Sequence, residues 1–178
     1  SISLTSDGNT VAIGSRYNDG NAGHVRIFEN LGGSWSQIGQ DIDGEAAGDL
    51  SGFSVSLSSD GNTVAIGAPF NNGNGQYSGH VRIYENIGGS WSQIGQDIDG
   101  EAADDYSGSV SLSSDGNIVA IGAPENDGNG NRSGHVRIFE NSGGSWSQIG
   151  QDIDGEAAGD QNGRSVSLSS DGSIVAIG

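Results

Sequence analysis

Residues 54–67 read SVSLSSDGNTVAIG, and this stretch decides the fold because it occurs four times. It returns with few changes at residues 1–14, 109–122 and 165–178. A second stretch, GGSWSQIGQDIDGEAA, begins at residue 32 and recurs unchanged from residues 88 and 143. A fixed period of about 55 residues is typical of arrays in which each repeat is one supersecondary unit. The chain therefore contains three full repeats and the opening part of a fourth.

The starts of the first stretch set the repeat boundaries. We assign repeat 1 to residues 1–53, repeat 2 to residues 54–108, repeat 3 to residues 109–164, and the first two strands of a fourth repeat to residues 165–178. Both chain ends fall inside the repeated pattern. We therefore expect the chain to be cut from, or to form part of, a longer repeat array.

Each repeat is predicted to hold four short β-strands. In residues 54–57 and 63–66, small or polar side chains alternate with larger apolar ones, which is the period-two pattern of a strand. The pair Asp60-Gly61 between them signals a tight turn. A third strand is predicted over residues 80–85, and a fourth runs from Trp91 to about Asp99. No part of the repeat has helical spacing.

Four antiparallel strands in a repeat of this length indicate a propeller blade. Small residues such as Ser54 and Ser56 suit the crowded axis, whereas Trp91 suits the wider outer part. The predicted fold class is all-β, with β-propeller-like four-stranded antiparallel blades, three full repeats and half of a fourth. A β-sandwich or a β-solenoid remains an alternative, although solenoid rungs are usually shorter.

The composition limits the partners. Lys and Arg together number 6, all of them Arg, against 23 Asp and Glu, so the formal net charge is −17. Such a surface disfavours nucleic acids and anionic membranes and suits divalent cations or basic partners. No apolar run has the length of a membrane span. We therefore expect no nucleic-acid binding and no membrane insertion. The absence of Cys leaves the redox compartment open.

Three motifs recur at fixed places in the repeat. They are Gly52-Phe53-Ser54-Val55, Gly67-Ala68-Pro69 and the strand from Gly79 to Tyr84. This pattern resembles the FG-GAP repeat of integrin-α-type propellers and their bacterial and algal relatives. The phenylalanine that the family has before the first glycine is replaced here by Ser51, Ser107 or Asn162. The resemblance implies an extracellular or cell-surface location and a propeller that binds a protein or a glycan.

The resemblance also raises the question of calcium. Members of the family often hold Ca²⁺ in an Asp-x-Asp-x-Asp-Gly loop between the first two strands. The matching positions here are Ser56, Ser58, Asp60 and Gly61, so two of the three carboxylates are missing. Because Ca²⁺ takes about six to eight oxygen ligands, the sequence favours a simple hairpin turn at this place.

A better candidate for a cation site lies at the end of the fourth strand. Asp97 and Asp99 are predicted to share one strand face, roughly 6.5–7 Å apart, and Gly100 permits a turn that returns Glu101 towards them. Clustered carboxylates repel one another unless a cation lies among them, which indicates calcium. The alternative is a solvated acidic edge that discourages edge-to-edge pairing. The candidate ligands are Asp41, Asp43, Glu45, Asp97, Asp99, Glu101, Asp152, Asp154 and Glu156.

Two further residue types recur once in each full repeat. His24, His80 and His135 hold the same slot of different blades, so the three cannot easily converge on one zinc ion. Each alternates with an arginine, and this fits a polar strand face better. The tryptophan equivalent to Trp91 is interpreted as an outer packing residue, with a sugar-stacking platform as the alternative.

No unique catalytic constellation stands out, because every Ser, His and Asp that could form a triad is copied between repeats. We therefore expect a non-enzymatic protein. The first hypothesis is a filament, sheath or cell-surface stalk built from copies of itself through β contacts between repeats. The second is a closed propeller module of a larger adhesin or receptor with a protein or glycan ligand. The unpaired edge of residues 165–178 favours the first hypothesis, because such edges recruit further strands.

Overall fold

The computed structural model covers residues 1–178 and consists of seventeen β-strands with no helix. It contains no helix that could span a membrane. Blade 1 comprises β1 (Ile2–Leu4), β2 (Thr10–Ser15), β3 (His24–Leu31), β4 (Ser34–Gln37) and β5 (Ile42–Asp43). Blade 2 comprises β6 (Ser54–Leu57), β7 (Thr63–Ala68), β8 (His80–Ile87), β9 (Ser90–Gln93) and β10 (Ile98–Asp99). Blade 3 comprises β11 (Ser109–Leu112), β12 (Ile118–Ala123), β13 (His135–Ser142), β14 (Ser145–Gln148) and β15 (Ile153–Asp154). Blade 4 consists of β16 (Val166–Leu168) and β17 (Val175–Ile177).

Every full repeat folds into one antiparallel meander. In blade 1 the order is β1-β2-β3-β4, and blades 2 and 3 repeat this order. The first strands of successive blades lie next to one another, β1 against β6, β6 against β11 and β11 against β16. The first strand is therefore the inner one. The predicted all-β fold with four-stranded antiparallel blades is confirmed.

The fourth strand differs from its prediction, because it is broken in two. β9 pairs with the end of β8, whereas β10 pairs with the beginning of β8. Between them Gly95 has a φ of 73°, which is incompatible with extended backbone. The Gln93 side-chain amide then donates to Asp97 Oδ1 at 2.6 Å and bridges the break. The continuous run from Trp91 to Asp99 expected from the sequence is therefore wrong.

The hydrophobic core lies between blades and not within a single one. One buried cluster joins Val25 and Ile27 of blade 1 to Val55 and Val64 of blade 2. Ala65, which follows Val64 in β7, belongs to a second cluster shared with blade 3. Successive residues of a strand point to opposite faces of its sheet. The sheet of blade 2 thus packs on a neighbour with each of its faces, and an isolated blade would have no core.

The inner strands are joined by serine side chains. The Val110 backbone N–H donates to Ser54 Oγ at 3.1 Å, and the Leu112 N–H donates to Ser56 Oγ at 2.9 Å. The same two contacts join blade 2 to blade 1, and the second of them joins blade 4 to blade 3. The hydroxyls satisfy backbone donors on the edge of the next inner strand, which would otherwise be unpaired. The sequence predicted small residues here but not these hydrogen bonds.

Glycine is required where the inner part of one blade meets the next. A Cβ atom placed on Gly67 would overlap the carbonyl oxygen of Gly108, which directly precedes β11. Gly14 meets Gly52 in the same way, and Gly122 meets Gly163. The glycines of the two short motifs in the sequence therefore contact each other across blade boundaries. Their contact sets how closely two blades approach.

Tryptophan joins the blades at the outer side. Trp91 is 4% exposed, and its Nε1–H donates to the carbonyl of Ile38 in blade 1 at 2.9 Å. Gln40 of blade 1 also donates to the Trp91 carbonyl. Trp146 repeats the contact on Ile94. In blades 2 and 3 the tryptophan is therefore a packing residue, as the sequence indicated.

The glycine contact predicts a large steric effect. We expect Gly67→Ala to lower the free energy of unfolding by about 3 kcal/mol, because its methyl group overlaps backbone that can move only if the blades separate. The control is Gly88→Ala, where φ is 62° and nothing lies within 4 Å of the added Cβ. That change should cost about 1 kcal/mol from the left-handed backbone alone. Urea unfolding measures both, and equal losses would contradict the steric argument.

The tryptophan contact predicts different costs for the same substitution in two blades. Trp35 occupies the position of Trp91, but no blade covers it and it is 50% exposed. We expect Trp91→Ala to cost about 3–5 kcal/mol, the usual cost of deleting a buried aromatic side chain. Trp35→Ala should cost about 1 kcal/mol or less in dilute solution. A Trp35 variant as unstable as the Trp91 variant would show that the blade interface is not the cause.

Candidate functional site

The histidines occupy the first position of the third strand in each full blade. His80 begins β8, where it pairs in register with Ala68 on one side and with Asp99 on the other. Strands on both sides therefore hold its backbone, and the residue is 2% exposed. His135 repeats this environment at 1% exposed. The polar surroundings expected for these histidines are present, since carboxylates lie near the imidazoles, but the imidazoles themselves are buried.

Carboxylates from two blades surround each of these two imidazoles. Asp97 lies just before β10 of the same blade, and Glu45 follows β5 of the preceding blade. Asp97 Oδ2 and Glu45 Oε2 are each 3.7 Å from His80 Nδ1. In the next blade Glu101 and Asp152 lie 3.8 Å and 3.9 Å from His135 Nδ1. The blade interface thus repeats a cluster of one imidazole and two carboxylates.

This grouping differs from the one expected from the sequence. Glu101 does not turn back towards Asp97 and Asp99, because the backbone at Gly100 directs it to His135 of blade 3. Six of the nine candidate ligands fall into three groups: Asp41 and Asp43 with His24, Glu45 and Asp97 with His80, and Glu101 and Asp152 with His135. Asp99, Asp154 and Glu156 lie outside these three groups.

An arginine two residues after each histidine binds the preceding blade. Arg82 Nη1 is 3.4 Å from Glu45 Oε1, and its Nη2 donates to the Asp43 carbonyl at 3.2 Å. Arg137 likewise donates to the Asp99 carbonyl at 2.6 Å. Each guanidinium therefore contacts the glutamate oxygen that faces away from the histidine, and it positions that carboxylate.

The surroundings of His80 favour its neutral form. Burial lowers the pKa of His80, the Arg82 guanidinium lowers it further, and the Asp97 and Glu45 carboxylates oppose both. Burial and Arg137 lower the pKa of His135 in the same way. Burial also raises the pKa of Asp99, with added repulsion from the Asp97 and Glu45 carboxylates. The imidazoles are therefore neutral near pH 7 and can offer a lone pair.

The loop compared above with the calcium motif forms a closed turn. Asp60 Oδ1 accepts from the Ser58 hydroxyl at 2.6 Å and from the Asn62 N–H at 3.0 Å. Although burial alone would raise it, these hydrogen bonds lower the pKa of Asp60. Ser56 is directed to blade 3, where its hydroxyl accepts from Leu112. The side-chain oxygens are engaged within the protein, as the hairpin interpretation predicts.

Three aromatic side chains form a surface cluster that sequence reasoning missed. The Phe70 and Tyr106 ring centroids are 5.1 Å apart with the rings nearly perpendicular, and Tyr77 stacks on Tyr106 at 5.6 Å. A cleft of about 280 Å³ beside them is lined in part by Pro69 and Arg132. The one indication of this cluster in the sequence was that loop residues such as Phe70 and Tyr77 differ between repeats.

Comparisons with solved structures support the fold. The chain is similar to TolB from Acinetobacter baumannii, with a TM-score of 0.55 and 17% identity over 99% of this chain and 36% of that one. Hydrazine synthase from Kuenenia stuttgartiensis gives a TM-score of 0.60 and 15% identity over 99% of this chain and 57% of that one. The β-propeller domain of the trilobed protease from Pyrococcus furiosus gives a TM-score of 0.50 and 13% identity over 86% of this chain and 41% of that one. At these identities the likeness concerns the fold alone, and the chain spans less than two thirds of each protein.

Sequence comparison identifies the repeat itself. No curated protein sequence matches the chain significantly. The family model of the FG-GAP repeat matches residues 42–84 and residues 96–139. Each match begins at the outer edge of one blade and ends in the third strand of the next, so it includes the glutamate and the histidine of a cross-blade cluster but not its aspartate. Residues 42–84 and 96–139 are therefore FG-GAP repeats, and the chain has the fold of a β-propeller segment.

Proposed function

We propose that this chain is a non-enzymatic extracellular repeat protein that forms or belongs to a filament, sheath or cell-surface stalk. The observation that carries the proposal is a blade face composed of the same residue positions that join blades elsewhere. In blade 1, Ile2 is 69% exposed and Leu4 is 56% exposed on the inner strand, and Trp35 is half exposed on the outer strand β4. The equivalent Val55 and Leu57 of blade 2 are 6% and 8% exposed, because blade 1 covers them. This face is suited to another copy of the repeat.

Blade 4 carries the matching half of the same contact. Ser165 and Ser167 hold the positions of Ser54 and Ser56, whose hydroxyls accept backbone hydrogen bonds from the next inner strand. Both serines of blade 4 are exposed. A further repeat placed on blade 4 can donate to them from its inner strand. A heterologous contact of this kind gives rings if it closes and filaments if it does not.

Several properties support a structural role and an outside location. The histidine clusters recur in blades 2 and 3 with the same partners, whereas an active site usually has one set of roles around one substrate. FG-GAP repeats are typically extracellular. The net charge of −17 also keeps such a protein soluble and disfavours contact with nucleic acids.

Self-association of the 178-residue chain tests this proposal. We expect the mass measured by light scattering to rise with concentration, and negative-stain images to contain filaments. Leu4→Ala should weaken the association by about tenfold or more, since burial of a leucine side chain contributes about 1.5–3 kcal/mol and Leu4 is 56% exposed on the inner strand β1. The control is Ile87→Ala, which removes an apolar side chain that is 62% exposed at the end of β8.

Two results would contradict the proposal. One is a chain that stays monomeric at the highest concentration reached. The other is an equal effect of the Leu4 and Ile87 variants, since only Leu4 lies at a position that contacts a preceding blade elsewhere. Melting temperatures of both variants establish that any loss of association is not a loss of folding.

A second candidate function is a closed propeller module of a larger adhesin or receptor. The aromatic cluster of Phe70, Tyr77 and Tyr106 favours it, because these residues are half-buried at the surface and aromatic residues are enriched in binding surfaces. We expect Tyr106→Ala to abolish binding to a glycan or protein ligand found by array screening, without changing assembly. Discrete discs in negative stain would support this alternative over the filament.

A further inference from the structure

One ring nitrogen of His80 is buried without a hydrogen-bond partner. The residue is 2% exposed, and its Nδ1 atom has no donor or acceptor within hydrogen-bonding range. Buried polar side-chain atoms in folded proteins usually have a partner. The Nδ1 atom is directed at the carboxylates of Glu45 and Asp97. An unpaired nitrogen among carboxylate oxygens therefore calls for a ligand.

Comparison of blades 1 and 2 explains why this nitrogen is unpaired. In blade 1 the Asn18 side-chain amide lies 2.9 Å from His24 Nδ1 and pairs with it. The equivalent Asn71 in blade 2 donates instead to Asp49 of the preceding blade, at 2.9 Å. In blade 2, which packs on a preceding blade, the asparagine thus contacts that blade, and a glutamate of the same blade lies near the histidine.

The spacing of the donor atoms suits a metal ion. A distance of 3.7 Å from Nδ1 to each carboxylate oxygen is too long for a hydrogen bond. Ligands at about 2.0–2.2 Å from a tetrahedral zinc ion lie roughly 3.3–3.6 Å from one another. The Glu45, His80 and Asp97 ligand atoms all lie within 4.8 Å of one another. A small movement of these three side chains towards one another would bring their ligand atoms to the spacing of a zinc site.

Both carboxylates are oriented by a second contact. The Gln93 amide donates to Asp97 Oδ1 at 2.6 Å, and Arg82 contacts Glu45 Oε1, so the other oxygen of each carboxylate faces His80. Such outer contacts orient the ligands in metal sites. The side chains of Glu45 and Asp97 are 45% and 31% exposed, which leaves a path for an ion to enter from solvent.

We propose that Glu45, His80 and Asp97 bind one Zn²⁺ ion, and that Glu101, His135 and Asp152 bind a second one. Imidazole nitrogen and carboxylate oxygen are both ligands that zinc takes, and water can fill the fourth position. Imidazole suits zinc, whereas Ca²⁺ takes about six to eight oxygen ligands. Because the glutamate and the histidine come from different blades, each ion joins two neighbouring blades. The three histidines do not converge on one ion; His80 and His135 each bind a separate one.

Zinc binding to the metal-free 178-residue chain tests the proposal. We expect equilibrium dialysis with metal analysis to give two Zn²⁺ per chain, and one for His80→Gln. The matched control is His24→Gln, which should keep two, because Asn18 already pairs with His24 Nδ1. Zinc should also raise the melting temperature, since an ion bound only to the folded state stabilises it. If His80→Gln does not fold, Glu45→Gln replaces it, because that side chain is exposed and should be tolerated.

Several outcomes would overturn the proposal. They are the absence of saturable zinc binding, an unchanged number of Zn²⁺ ions per chain in both the His80 and Glu45 variants, and the loss of one Zn²⁺ per chain in the His24 variant as well. Parallel titrations with Ca²⁺ test the other metal class, and Ca²⁺ that displaces Zn²⁺ at similar concentration would assign the cluster to calcium. Stoichiometry is measured per chain, so the result does not depend on whether the chains self-associate.

Discussion

The close approach of Gly67 and Gly108 is the constraint on which the arrangement of the blades depends. No side chain fits between these two backbones, so the inner strands of neighbouring blades come near enough for Ser54 and Ser56 to accept hydrogen bonds from the next strand. The tryptophan contact, here Trp146 on the preceding blade, fixes the outer side. A short inner contact and a bulky outer one give a wedge, and successive wedges surround an axis as in propellers.

Because of this packing, the stability of each blade depends on its neighbours. Both buried clusters are shared between two blades, so each blade depends on the next, as repeat proteins generally do. The sheet of blade 4 has only β16 and β17, and neither strand contains a buried residue. We expect such a two-stranded sheet to open more readily than the central blades, since local stability follows the number of buried contacts.

The blade interface also brings together charged side chains of neighbouring blades. In a chain with a net charge of −17, Arg82 and Arg137 each bind a carbonyl and approach a glutamate of the preceding blade. His80 and His135 are too deeply buried to supply a second positive charge near pH 7. The remaining carboxylate charge is the electrostatic basis of the proposed metal sites, because close carboxylates repel one another in the absence of a cation.

The sequence by itself determined the repeat, its strands, the inner and outer ends of the blade and the turn at Asp60-Gly61, because periodicity and turn chemistry act over a few residues. Only the tertiary structure decided that Glu101 contacts His135 of the next repeat and that Gly95 breaks the outer strand. It also decided which backbone N–H groups donate to the serine hydroxyls. These contacts join groups that are far apart along the chain or depend on the spacing between two sheets. No local pattern encodes that spacing, since it follows from how closely the blades pack.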